Sequence, residues 1–331
     1  MNNFPKISII TPSFNQGQFI EQTIQSVINQ NYPNLEYIII DGGSTDNTLE
    51  IIKNYERYIT YWISESDKGQ SDAINKGLKI TTGDIINWLN SDDYYEPNIL
   101  FKVAKEFENS SVNVVSGRGR LFRENETIGF TKGVDVYPNN LAKTIGLLRM
   151  DQPETFYRNT AIQKMGLLNL SLNYLMDRDW WLKYLLIYGV NGISCVNDVF
   201  VNFRLHEDSK TVSQKEGFDI DHHSLFYALA KKSGFNEYTD VIRKFVKINT
   251  DITLNVETHI TKDLLRKVFS YYFLLRANIC YEMNKKNHAI VFYNMVKAND
   301  LDADDRRLFS KMQFRNKLPV LFVKLMRKFT R

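Results

Sequence analysis

Cysteine is nearly absent from this chain. Two occur in 331 residues, Cys195 and Cys280, which excludes a disulfide scaffold and a cysteine-built zinc site; isolated thiols of this kind fill core space. No apolar run approaches the roughly 20 residues that span a bilayer. No internal repeat or low-complexity tract interrupts the chain. The first strand-like segment is not followed by G-x-G-x-x-G, and no G-x-x-x-x-G-K-[ST] occurs, which counts against a dinucleotide dehydrogenase or a P-loop enzyme. The missing G-x-S-x-G elbow counts against an α/β hydrolase.

Charge of one sign is missing from one end. Overall, 42 Lys+Arg face 38 Asp+Glu for a net +4, yet residues 306–331 hold nine basic residues and no acid. The preceding part therefore carries 33 basic against 38 acidic residues, or −5. A slightly acidic body disfavours nucleic-acid binding. With 43% hydrophobic and 24% charged residues the composition is that of a soluble globular protein. Its 18 Tyr and 21 Phe supply a large core and stacking surfaces. The length fits one large domain plus an appendage, or two domains. Residues 1–6 run straight into a strand-like segment with no room for a signal peptide, so a cytoplasmic location is expected.

The first part alternates strand and helix signals. Ile7 to Ile10 is an Ile-rich run that Thr11-Pro12 should end. Residues 18–29 carry apolar side chains at helical spacing (Phe19, Ile20, Ile24, Val27, Ile28). Residues 36–40 read as a strand, with Asp46 as N-cap of the helix after it. Strands follow at 59–63, 84–89 and 112–115. Helices are expected at 71–80 and from Pro97, the proline lying in the first turn. Largely apolar strands alternating with helices mean an α/β fold with a mostly parallel sheet flanked by helices. Ligands bind such sheets beyond the carboxyl ends of the strands. A polar cluster follows each strand here: Ser13-Phe14-Asn15, Asp41-Gly42-Gly43, Glu65-Ser66-Asp67 and Asn90-Ser91-Asp92-Asp93. From about residue 218 the pattern is helical, which places a domain boundary near 215.

Adjacent Asp92 and Asp93 at a strand end, with no His or Cys beside them in sequence, suit a hard cation such as Mg2+ or Mn2+. Such a cation would neutralise a departing diphosphate. The bland alternative is that one of the two caps the next helix. Asp41 could accept hydrogen bonds from a base or ribose, and its glycines allow close approach of a ligand.

Four segments in order, residues 7–15 (ISIITPSFN), 40–46 (IDGGSTD), 67–75 (DKGQSDAIN) and 88–93 (WLNSDD), resemble the family 2 glycosyltransferases. The resemblance runs over roughly residues 6–212, about two-thirds of the chain. It implies a GT-A fold and transfer of a sugar, with inversion, from a nucleotide-sugar donor, a UDP-sugar being favoured. It implies a catalytic domain at 1–215 and a helical C-terminal region at 216–331. Thr11, Ser13 and Asn15 would lie against the nucleotide, and Asp67, Asn75 and Asn90 would belong to the same donor site. Asp41 would reach the base; many members have a further Asp where this chain has Gly42. Asp92 would hold the ribose or sugar and Asp93 the metal, Mg2+ or Mn2+.

Residues 176–181 (MDRDWW) resemble the motif that supplies the family's catalytic base, which points to Asp177 with Asp179 as alternate. On the residues alone the two acids would as well pair with Arg178 or Lys183. Gln152 and Glu154 match the segment lining the acceptor side. Residues 204–209 (RLHEDS) resemble a closing loop, with Arg204 on the diphosphate and His206 on the metal. The setting implied is bacterial polysaccharide or glycolipid synthesis, with a sugar or lipid-linked acceptor. Two rivals share parts of this pattern: a nucleotidyltransferase, which should show basic residues in 11–17, and a non-catalytic nucleotide- or carbohydrate-binding module.

Beyond Pro319, Lys324, Arg327, Lys328 and Arg331 fall on one helical arc, with Leu321, Phe322, Leu325, Met326 and Phe329 on the rest. Such a helix suits peripheral contact with an anionic membrane at its inner face, or packing on the protein with a solvated basic face.

Overall fold

The computed structural model describes residues 4–124, 126–207, 209 and 214–317. The amphipathic helix expected beyond Pro319 lies outside them. Four strands form the parallel half of one sheet: β1 (Ile7–Ser13), β2 (Leu35–Asp41), β3 (Tyr61–Ser64) and β4 (Ile85–Trp88), in the order β3-β2-β1-β4. Helices α1 (Ile20–Ile28), α2 (Thr48–Asn54) and α3 (Gln70–Ile80) make the crossovers. The alternation of a strand explains why these segments are apolar throughout. Ile9, Ile39 and Ile85 pack with Ile24 and Val27 on one face. Ile10, Ile40 and Ile86 pack with Ile74 on the other.

Proline does not end β1 as expected. The strand runs on through Thr11 and Pro12 to Ser13, opposite Asp41 of β2. Pairing with β4 stops at Ile10 opposite Trp88, so no ladder bond on that side needs the N–H that Pro12 lacks. Asp46 stands one residue too early to be the cap of α2, which is Asn47. Its carboxylate still accepts the Thr48 N–H at 3.0 Å and, from the other side, the Gly17 N–H at 2.9 Å. Pro97 precedes α4 (Ile99–Glu106) instead of lying in it, because Asn98 takes the left-handed cap position with φ 61°.

The other half of the sheet is mixed. It continues β4-β8-β6-β9-β5, with β5 (Tyr94–Tyr95), β6 (Val114–Arg123), β8 (Thr155–Arg158) and β9 (Ile193–Arg204). A short β7 (Glu126–Phe130) pairs with β6. β8 runs antiparallel to both neighbours, whereas β6 and β9 are parallel. Helices α5 (Leu141–Leu147), α6 (Asn159–Met165) and α7 (Met176–Tyr188) belong to this half. The class is the α/β arrangement expected, a mostly parallel sheet flanked by helices with a helical C-terminal part.

That part comprises α8 (Lys215–Lys232), α9 (Asn236–Phe245), α10 (Lys262–Glu282), α11 (Lys286–Met295) and α12 (Ala303–Lys317). One buried cluster runs without interruption from Ile10 and Trp88 under the sheet, through Trp180 and Trp181, to Leu225, Phe269 and Phe309. Contact between α5 and α10 depends on Gly146, where a Cβ would stand 2.5 Å from Tyr271 Cβ and 2.7 Å from the Val268 carbonyl. Lys143 fastens α5 to the start of α12 through Asp302 at 3.0 Å and Asp305 at 2.5 Å. No helix among the described residues is long and apolar enough to cross a membrane.

Candidate active site

The carboxyl ends of β1, β2 and β3 set Ser13, Asp41 and Ser64 side by side. Asp41, expected to reach a base, is fully buried. Its Oδ2 accepts from Gly43 N (3.0 Å), Ser44 N (2.8 Å) and Ser64 Oγ (2.7 Å), and Oδ1 accepts from Ser44 Oγ (2.5 Å). The carboxylate is spent on building the turn, so it shapes the rim without facing it. Gly42 stands where a further acid was the resemblance's pattern. A Cβ there would lie 2.7 Å from Asp67 Oδ2 and 3.4 Å from the Phe14 ring, so the glycine makes room for both. Asp67 meanwhile accepts the Gly69 N–H at 2.7 Å.

Thr11 does not reach the rim. It is fully buried and its hydroxyl lies 3.1 Å from the Tyr37 hydroxyl inside the sheet. Ser13 Oγ is buried and has no hydrogen-bond partner. Asn15 turns the chain at φ 52°, donates its N–H to Ser44 Oγ (2.7 Å) and accepts the Thr45 N–H (2.9 Å). The neighbouring Phe14 ring is 59% exposed, an apolar face at the mouth of the strand ends.

The acidic pair follows β4. Asn90 Oδ1 accepts from Gln70 Nε2 at 2.8 Å. Asp93 is 1% exposed; its Oδ1 accepts the Arg204 N–H at 2.9 Å, and its Oδ2 is buried without a partner. Burial, and after it the charge of Asp92, push the Asp93 carboxyl well above the usual carboxylate range. Asp92 is the more open of the two. His206 Nε2 lies 3.0 Å from its Oδ2, with the imidazole against the Phe19 ring at 4.8 Å.

Of the pair it is Asp92, expected on the ribose or sugar, that lies against His206, while Asp93, expected on the metal, is the enclosed one. Among the described residues no group of three or more His, Cys, Asp or Glu side chains could hold a metal ion. An Asp92 oxygen and an imidazole nitrogen, with the unpartnered Asp93 Oδ2 nearby in sequence, nevertheless fit the donor types that Mn2+ or Mg2+ takes, other ligands completing the shell. Arg204, expected on a diphosphate, is largely committed inside the protein. Its Nε donates to the Asp92 carbonyl at 2.9 Å and an Nη to Gln22, while the guanidinium lies over Phe19 (4.8 Å) and Phe122 (4.7 Å). It fixes the acidic pair from behind.

Gln152 is not open to an acceptor: its amide donates to Asn87 Oδ1 (2.8 Å) and the Trp88 carbonyl (2.7 Å), tying the turn before β8 to the end of β4. Glu154 is fully buried, bonded through Oε1 to the Thr131 hydroxyl, with Oε2 unpartnered. Burial, then the charge of Asp151, push its carboxyl up to about 8, so it is mostly protonated at neutral pH. Asn75 proves to be a strut, since it donates to the Leu168 carbonyl and accepts the Leu168 N–H, both at 2.9 Å.

Asp177 lies in the first turn of α7, its Oδ1 accepting the Arg178 N–H at 2.8 Å. Burial pushes its carboxyl up to about 6, against the opposing charge of Arg178. Asp179 faces inward and is fully buried, paired with Lys183 Nζ at 2.6 Å. The carboxylate of this alternate base is enclosed and has its cation. Residues that local spacing did not single out include Ser64 and Gln22, whose partners Asp41 and Arg204 lie far away in sequence. Phe14 and Gln70 lie inside segments already noted, but nothing local marked them apart from their neighbours.

Residues 8–163 match the family model Glycosyl transferase family 2. An uncharacterized glycosyltransferase of Rickettsia typhi is 28% identical over 219 residues, covering 62% of this chain and 66% of that protein. One of Mycobacterium tuberculosis is 28% identical over 204 residues, covering 59% of this chain and 75% of that protein. The chain thus spans just under two-thirds of the Rickettsia relative's length. Among solved structures, S. aureus TarS 1-349 in complex with UDP-GlcNAc aligns with a TM-score of 0.61 at 18% identity, over 89% of this chain and 82% of that one. A Pyrobaculum calidifontis mannosyltransferase in complex with GDP-Man and Mn2+ aligns at 0.50 and 13% identity, over 96% and 89%. At these identities the structural likeness shows the fold.

Proposed function

We propose that this chain is a GT-A glycosyltransferase of family 2 and that it moves a sugar with inversion from a nucleotide-diphosphate donor, a UDP-sugar, to an acceptor hydroxyl. The family match over residues 8–163, the glycosyltransferase relatives and the TarS-like fold support this reading. The observation that carries the reading is the 3.0 Å approach of His206, from the far end of the domain, to Asp92 at the end of β4. The UDP preference is taken from TarS, whose structures hold UDP-GlcNAc and UDP.

Ser13 and Asn15, on the rim that Asp41 organises, would bind the nucleotide, with the Phe14 ring offering its face to the base. Asp92, His206 and Asp93 would hold Mg2+ or Mn2+, which when bound supplies positive charge beside the diphosphate. The acceptor oxygen attacks the anomeric carbon as the bond to the diphosphate oxygen breaks. The Asp177 carboxylate takes the acceptor's proton, and the nucleoside diphosphate leaves with the bonding pair. The acceptor would be a sugar or a lipid-linked sugar of polysaccharide or glycolipid synthesis. The enzyme would work in the cytoplasm or at the inner face of the membrane, residues 1–215 being catalytic and 216–331 the helical extension.

A thermal-shift panel of UDP, GDP, CDP and dTDP, with and without Mn2+, tests the reading. Stabilisation by UDP that grows with Mn2+ is expected, because a ligand that binds only the folded chain adds about 2.7 kcal/mol at a hundred times its Kd. A flat panel would sink the donor site, and a response to GDP alone would replace UDP.

A further inference from the structure

Helix α7 has no capping side chain of its own, since Leu175 stands at its N-cap. The N–H groups of the residues leading into it are satisfied from α8, after the expected domain boundary. Asp221, 4% exposed, turns a single oxygen, Oδ2, toward three successive N–H groups: Asn173 at 3.2 Å, Tyr174 at 2.8 Å and Leu175 at 3.1 Å. Converging backbone N–H groups form an anion-binding concavity, and the start of a helix adds its own preference for negative charge. The same loop is held elsewhere by Ser71 Oγ on the Leu172 carbonyl (3.2 Å) and by the Asn75–Leu168 pair.

Asp177 lies two residues past Leu175. Its chain position is therefore set directly by the segment that Asp221 grips. We propose that Asp221 is a positioning residue for the active site: its carboxylate holds 173–175 and thereby places Asp177, so the helical region after 215 completes the catalytic domain. The proposal rests on the reading of Asp177 as the base. It gives the C-terminal region a part in turnover that no motif in the first 215 residues could supply.

The test uses the full chain and the variants Asp221→Ala and Asp177→Asn. Without substrate, amide hydrogen exchange at 173–175 should accelerate in Asp221→Ala while the strands keep their protection. Added formate should restore protection by entering the emptied concavity, whereas chloride should not. Carboxyl NMR should show Asp177 titrating nearer the ordinary carboxylate range in the variant. With the donor selected by the nucleotide panel, kcat should fall about 10- to 100-fold with the donor KM unchanged. Should Asp221→Ala fail to fold, Asp221→Asn, which keeps an acceptor oxygen but no charge, is read in the same way. Unchanged exchange at 173–175 overturns the proposal. So does faster exchange that leaves the Asp177 titration at its wild-type value, or loss of protection spread evenly over the protein. Activity retained in Asp177→Asn overturns the base reading alone, because the exchange and titration measurements use no substrate.

Discussion

Asp177 and Asp179 are two residues apart on one helix, yet the fold gives them opposite characters. Asp179 is enclosed with Lys183 as its cation. Asp177 is only partly buried, accepts one N–H, and has a carboxyl pushed up to about 6 by burial. A base works only as the carboxylate, so kcat/KM should fall about tenfold per pH unit below 6 and level off above it. Stability should move the other way. Because the folded pKa exceeds that of the unfolded chain, the fold binds more protons between the ordinary carboxylate range and pH 6 and weakens as pH rises through that window. Asp177→Asn should accordingly abolish transfer while raising Tm at pH 7, by about 1–2 °C for each kcal/mol recovered. Transfer at the wild-type rate in that variant would remove Asp177 from the mechanism.

At the scale of elements, polar residues that look like ligands in the sequence often join strands and helices. Asn75 exchanges two hydrogen bonds with Leu168. Asn75→Ala should lower stability by about 1–3 kcal/mol, the cost of leaving buried partners unmade, with UDP affinity unchanged; weaker UDP binding at unaltered stability would restore it to the donor site. At the amino ends of the strands, Glu36 gathers Lys6 Nζ (2.6 Å), Ser8 Oγ (2.5 Å), Thr82 N (2.8 Å) and Thr82 Oγ1 (2.6 Å). Burial alone would raise its pKa, but these donors outweigh it and bring the carboxyl down to about 2. A depressed folded pKa contributes stability above the ordinary glutamate range and loses it as pH falls toward 2. Relative to Glu36→Gln, the wild-type unfolding free energy from urea titration should be higher at pH 6, by on the order of 2–3 kcal/mol, and should converge with it near pH 2. A gap that persists at that pH would show that packing, not charge, is responsible.

For the whole molecule, the basic end divides in two. Phe309 and Met312 of α12 are buried in the common cluster, and Arg306 donates to the Ala298 and Leu301 carbonyls at 3.0 and 2.9 Å. A cut at residue 306 would remove part of the core, so the membrane test belongs at Lys317. Truncation there should leave Tm and nucleotide binding near wild type and abolish sedimentation with anionic phospholipid vesicles; equal sedimentation of both forms would exclude 318–331 as the membrane contact.

Much of this molecule could be read without coordinates. Isoleucine-rich runs alternating with helical periods determined an α/β fold, because strands buried on both faces must be apolar throughout. Their polar ends pointed to one edge as the candidate site, since parallel strands deliver their carboxyl ends to one edge. What the tertiary structure alone decided is which polar atoms remain free at that edge. Asp41 has both oxygens taken by its own turn and Ser64, while Asp92 keeps one for His206. Thr11 turns to Tyr37 and Ser13 keeps an unpartnered hydroxyl. Local spacing assigns such residues to a neighbourhood. Their function depends on hydrogen-bond partners often tens of positions away, as with Asp221 and the Asp177 helix, and those meet only when the chain has folded.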